Sequence, residues 1–269
     1  CDVDRPYDSS FNTPAKAIKR VSGDLLKRRS PGMAFSSMRQ AIARSSGDWS
    51  LDPYNTFDWM MDVCERADKR IAFFFLCQNR DEVDARYELS EVYIKRLMNK
   101  IHVRSHEIGM HGSYDNYRNP DRIMKERNAL LQACKSRGID QNIAGNRQHY
   151  LRWDVAETPD YLDAAGFEYD TSGYFADSPG FRHGTSHPFA MWSWRQNKPL
   201  RLKQRPLVVM EDSVIGDYYL GMGYSEDSLK YMLALKKRSL QTGGDFTLLW
   251  HNSSLGSDAA KSMYRELVM

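Results

Sequence analysis

The sequence predicts an α/β barrel, on three observations: helical and strand patterns alternate along it, short continuous apolar runs supply strands buried on both faces, and ionisable residues gather where those strands stop. The 269 residues suit a single domain spanning residues 1–269, and 41% hydrophobic with 12% aromatic residues is enough for a sizeable core.

Residues 5–50 are polar, rich in Gly and Ser and weakly periodic, so they are read as a long excursion after the first motif. Phe57–Val63 carries apolar residues at helical spacing, with Asn55 or Thr56 available as a cap. The run Ile71–Leu76 predicts a buried strand, residues 88–100 a helix, and Glu107–Met110 a short strand ending at His111. A helix over 120–137 stops near Gly138. Strands near 142–146 and 167–169 flank a short helix opening at Thr158-Pro159. Beyond them come a strand at Pro206–Met210, an amphipathic helix over 225–241 and a last strand at Phe246–Trp250.

The net charge of +3 is too mild to imply nucleic acid as a partner, and short basic runs such as 27–29 and 236–238 read as solvated faces. Cys1, Cys64, Cys77 and Cys134 show no CxxC spacing, which argues against a zinc ribbon or disulfide framework and for a cytoplasmic setting. No apolar run approaches the roughly 20 residues of a membrane span. Opening on Cys1 and directly on a polar motif reads as an N-terminal truncation that removes a first strand and any targeting segment.

The chemistry-bearing residues cluster at predicted strand ends, where α/β barrels build their sites. Asp2 and Asp4 point the same way if extended, suiting a metal ligand beside a proton acceptor; an Asx-turn or helix cap is the plainer reading. His111 and Asp115 stand at i, i+4 and together suit Zn²⁺ or a similar ion, or else form a surface contact. His251 suits a general acid or a strand-end histidine bonded to backbone; Arg147 suits orientation of a carboxylate or an ordinary ion pair. His149, His183 and His187 read as loop or site-wall residues rather than ligands.

In order, these segments resemble the polysaccharide deacetylases. Cys1-Asp2-Val3-Asp4 is similar to that family's first motif, Glu107–His111 to the opening of its His-x3-His motif and Asn146–Tyr150 to the third. The stretch from Tyr169-Asp170 to Phe181-Arg182 lies in the place of the fourth, and Leu249–Asn252 resembles the fifth. The resemblance implies a distorted (β/α)7-type barrel and a divalent metal ion, zinc first. It implies Asp2 as base, His251 as acid, Arg147 holding Asp2, and Asp4 and His111 as ligands. Asp115 stands where the family has its second histidine, and Arg5-Pro6 replaces the glycine after the acid. Tyr114, Tyr150, Asp170 and Arg182 are the candidate substrate contacts, the implied partner being an acetylated glycan. Two other readings are a non-catalytic carbohydrate-binding relative, suggested by Asp115, and a glycoside hydrolase using Asp170 and Glu211 as paired acids.

Overall fold

The computed structural model describes residues 1–78, 84 and 87–269. In chain order the elements are β1 (Asp2–Val3), α1 (Pro14–Leu26), α2 (Pro31–Ser45), α3 (Phe57–Arg66), β2 (Ala72–Leu76), α4 (Val92–Val103), β3 (Glu107–Gly112), α5 (Pro120–Lys135) and β4 (Gly145–Gln148). There follow α6 (Thr158–Ala165), β5 (Tyr169–Asp170), β6 (Phe189–Ser193), β7 (Lys198–Gln204), β8 (Val209–Met210), α7 (Glu211–Ile215), α8 (Glu226–Gln241), β9 (Leu248–Leu249) and α9 (Asp258–Val268).

Strands β1 to β5 pair in sequence order, all parallel, and β7 adds to β5 in the same sense. Strand β6 returns antiparallel on β7, and β8 pairs with β9 as a separate parallel ribbon. The expected α/β barrel class is thus met by a mostly parallel sheet wrapped by helices, although among the described residues hydrogen bonds do not close it into a ring. Burial explains the strands. Phe73, Phe74 and Phe75 are all buried, one face against helices and the other toward the sheet interior, which only a doubly covered parallel strand allows.

The polar opening motif is itself a strand over Asp2–Val3, with Asp2 opposite Phe74 and Val3 opposite Phe75. The excursion over residues 5–50 is largely helical. Thr13 and Ser30 each accept a hydrogen bond from the third helical N–H, with proline at the first position, so α1 and α2 start from local caps despite their Gly and Ser. The strand at Pro206–Met210 shortens at its start to Val209–Met210, and α7 begins directly after it at Glu211. The hairpin β6–β7 was not anticipated, although Lys198–Gln204 alternates exposed and buried as a half-covered strand should. No described helix is long and apolar enough to cross a membrane.

Candidate active site

The register sets the site. His111 lies opposite Leu76 on one side and Arg147 on the other, while Asp2 lies opposite Phe74. Gly109 is paired with Phe74, and a Cβ there would meet the Phe74 ring at 2.6 Å, so only glycine leaves room for it. The Arg147 guanidinium lies over that ring at 4.6 Å and donates to Asp2 Oδ1 at 2.7 Å and to Thr171 Oγ1 at 3.2 Å. A glycine in β3 therefore helps to fix, through a phenylalanine in β2, the arginine that holds Asp2. Burial pushes the Asp2 carboxyl up, but Arg147, His111, the N-terminal ammonium and His251 together outweigh it and the net shift is downward. Its second oxygen, Oδ2, faces His111 Nε2 at 3.7 Å.

Asp4, just beyond β1, stands among three imidazoles. Its Oδ1 lies 3.3 Å from His111 Nε2, and its Oδ2 lies 3.8 Å from His149 Nε2 and 3.6 Å from His251 Nε2. The other ring nitrogen of each histidine is committed. His111 Nδ1 donates to the Arg147 carbonyl at 2.7 Å, His149 Nδ1 to Asp84 at 2.7 Å, and His251 Nδ1 to Glu211 Oε1 at 2.6 Å. Those partners fix the tautomer and aim Nε2 at Asp4. Glu211 also accepts from the His251 backbone N–H at 2.7 Å.

Electrostatics follow from this packing. Burial pushes Asp4 up, but His111 and His149 outweigh it and hold the carboxyl well below the usual carboxylate range. Burial works against charging His251, yet the Glu211 carboxylate, with Asp4 and Asp2, outweighs it and lifts the imidazole to about 10. In the same way Asp4 and Asp84 overcome burial at His149 and lift it to about 9.

The residues fit a divalent cation. One donor atom each from Asp4, His111 and His149 lie within 4.8 Å of one another. Asp4 Oδ1 is enclosed without a hydrogen-bond donor, an orphan that a cation would satisfy. Two imidazole nitrogens and one carboxylate oxygen are a donor set that zinc takes.

Not every expected residue joins this cluster. Asp115 does not: its side chain is 53% exposed and bonds Arg152 at 2.6 Å. After β3 the chain runs through a turn rather than a helix, so the i, i+4 relation never brings Asp115 beneath His111. The third donor is His149, which the sequence reading set aside. It sits in a tight turn whose next residues, Tyr150 and Leu151, have φ of 56° and 54°, a left-handed geometry that ordinary side chains rarely adopt. Tyr150 is 62% exposed, its ring 4.6 Å from His149 and 5.4 Å from Tyr114. Tyr114 lies beneath the Arg152 guanidinium and donates its backbone N–H to Asp84 at 3.1 Å. Asp170 is fully buried behind the site, held by Ser172 and Asn146. Arg182 donates to the Tyr174 carbonyl and lies over Phe175, away from the cluster's hydrogen bonds. Asp84 and the orienting role of Glu211 were missed; Glu211 follows a strand directly, a signal that points to it, whereas a lone loop aspartate carries none.

No family model matches the chain, and no curated protein sequence matches it. Among solved structures it is similar to a "putative polysaccharide deacetylase from Mycobacterium smegmatis", with a TM-score of 0.59 and 15% identity over 99% of this chain and 80% of that one. It is also similar to Puue allantoinase, with a TM-score of 0.54 and 13% identity over 79% of this chain and 65% of the other. At these identities the likeness is one of architecture, and the chain has the fold shared by those deacetylase and allantoinase structures.

Proposed function

We propose that the chain is a metal-dependent hydrolase that removes acetyl groups, amide-linked first and ester-linked second, from an oligosaccharide or polysaccharide. The observation that carries this reading is the convergence of Asp2 and His251, from opposite ends of the sequence, on the cluster of Asp4, His111 and His149. A proton acceptor and a proton donor beside a cation cradle are what hydrolysis of an unreactive acyl bond demands.

Asp4, His111 and His149 would hold the ion, which when bound supplies a Lewis acid for the acyl carbonyl and for water. Asp2 keeps Oδ2 spare while Arg147 occupies Oδ1, so it accepts a proton from the attacking water without losing its orientation. Glu211 holds Nδ1–H of His251, leaving Nε2 to deliver a proton to the departing nitrogen or oxygen as the acyl bond breaks. The products are acetate and a free amine or hydroxyl. Tyr150 and Tyr114 present aromatic surface beside His149 on which a sugar ring stacks. One fold neighbour bears the name polysaccharide deacetylase, which favours an acetylated glycan.

Both rival readings lose support. The non-catalytic one leaned on Asp115 and Arg5-Pro6 as departures from the family's pattern, and His149 offers a third donor in place of Asp115. The glycosidase one needs two available acids, yet both oxygens of Asp170 are bonded and Glu211 is committed to His251. The test is elemental analysis of purified protein with acetate release from a panel of N- and O-acetylated glycans. One divalent ion per chain is expected, with activity lost on chelation and restored by added metal. His251→Ala should retain the ion and lose about 10²–10⁴-fold in rate. A chain that binds no ion and releases no acetate from any glycan overturns the reading.

A further inference from the structure

The excursion between the first motif and α3 folds as a helical hairpin whose surface is unlike the rest of the molecule. Residues 14–45 hold eight Lys or Arg against one acid, Asp24, whereas the remaining residues hold 30 against 34. Asp24 is itself buried and bonded to Ser37 and Arg28, so α1 and α2 are pinned together as one arm. Among the described residues Lys16, Lys19, Lys27, Arg29 and Arg39 are exposed and have no ion-pair partner.

Beside these cations lie large apolar side chains in water. Ile18 and Leu25 stand two turns apart on α1, and Phe35, Met38 and Ile42 form a stripe on α2 at helical spacings of three and four residues. Ile18, Leu26, Phe35 and Ile42 are 66, 78, 59 and 63% exposed. Ile18, Met38 and Ile42 line one groove of about 920 Å³ together with Tyr7, Phe11 and Trp49, and Leu26 lies along the neighbouring one. Lys16, Lys19, Lys27 and Arg28 line the neighbouring groove on the other flank of α1. A partly apolar, partly cationic helical surface of this kind matches the interface of an anionic bilayer, where apolar groups enter the acyl boundary and basic heads meet lipid phosphates. A second copy docking hairpin on hairpin would instead oppose two surfaces of the same strong positive charge.

We propose that the α1–α2 hairpin docks the protein peripherally on an anionic phospholipid bilayer. The docking is independent of the chemistry proposed for the candidate active site.

Vesicle flotation of the intact chain tests it, with phosphatidylcholine vesicles containing phosphatidylglycerol against phosphatidylcholine alone. Binding is expected to the anionic vesicles and to weaken as salt rises. Lys19→Glu, Lys27→Glu and Arg29→Glu combined should weaken it by about tenfold or more, at the strength usual for basic groups near an anionic surface. Leu26→Ser with Phe35→Ser should weaken it by at least about tenfold through lost apolar burial. Circular dichroism and melting temperature should match the wild type for both variants, since the altered side chains are exposed. Equal binding to both vesicle types, no flotation at low salt, or undiminished binding by the charge variant overturns the proposal. So does sedimentation showing a dimer that Leu26→Ser with Phe35→Ser dissolves while wild-type protein ignores vesicles; the surface then belongs to a second copy.

Discussion

Asp2 and Asp170 both sit on parallel strands, both are buried, and both lie within the field of Arg147, yet their carboxyls are held in opposite ways. Around Asp170, Oδ2 accepts from the Ser172 N–H, and Oδ1 accepts from Ser172 Oγ and Asn146 Nδ2, each at 2.7 Å. Every partner is neutral, and burial lifts the carboxyl to about 6 despite them. Asp2 spends one oxygen on a guanidinium and keeps the other facing His111. Neither burial nor a strand-end position separates a working carboxylate from a structural one. What separates them is an oxygen left over.

The largest effect should therefore fall on Asp2. Asp2→Asn keeps an acceptor for Arg147 but removes the base, so acetate release should drop by about 10²–10⁴-fold while the chain stays folded. Comparable activity in this variant would break the contrast at its root. Asp84 is a third kind of carboxylate, neither base nor ligand, which fixes the His149 tautomer from behind. Asp84→Asn should lower metal affinity by about 10- to 100-fold, read by competition with a chromogenic chelator. Unchanged affinity would mean that His149 needs no such partner and would weaken its place among the ligands.

Asp170→Asn should show the reverse pattern, with stability altered and the ion retained. The sign is fixed by linkage. A carboxyl raised to about 6 in the fold, against an ordinary value near 3.9, binds more protons folded than unfolded between those values. Its contribution is thus full below about pH 4 and is lost as pH rises through about 6, a change on the order of 3 kcal/mol. The stability gap between wild type and Asp170→Asn should narrow across that window in denaturant titrations. A gap that is flat with pH, or loss of activity without loss of stability, would place Asp170 in the working class.

The same distinction shows what the sequence revealed. Strands such as Ala72–Leu76 were legible because two-sided burial demands an unbroken apolar run, and Asp2, Asp4, His111, Arg147 and His251 were legible as polar residues beside strand ends. His149 was obscured because its aim depends on the left-handed backbone at Tyr150 and Leu151, which no local pattern of non-glycine residues announces. Asp84 was obscured because a lone aspartate becomes informative only once a distant imidazole meets it. The hairpin α1–α2 was hidden by its own surface: exposed apolar and basic residues blur the contrast that periodicity measures, although Thr13-Pro14 and Ser30-Pro31 marked both starts.

The smallest effect belongs to Asp115. An i, i+4 partner of His111 reaches the same ion only if the chain after β3 winds as a helix, and instead it turns outward. Asp115 then pairs with Arg152 at the surface, and exposed pairs of this kind contribute at most about 1 kcal/mol. Arg152 keeps other anchors, the Tyr114 carbonyl at 2.9 Å and the Tyr117 hydroxyl at 3.1 Å, so the guanidinium stays over the Tyr114 ring without Asp115. Asp115→Ala should leave metal content, acetate release and melting temperature close to wild type. His149→Ala, measured beside it, should lose the ion. If the two results are exchanged, the turn after β3 must rewind when metal binds, and the third ligand is the aspartate after all.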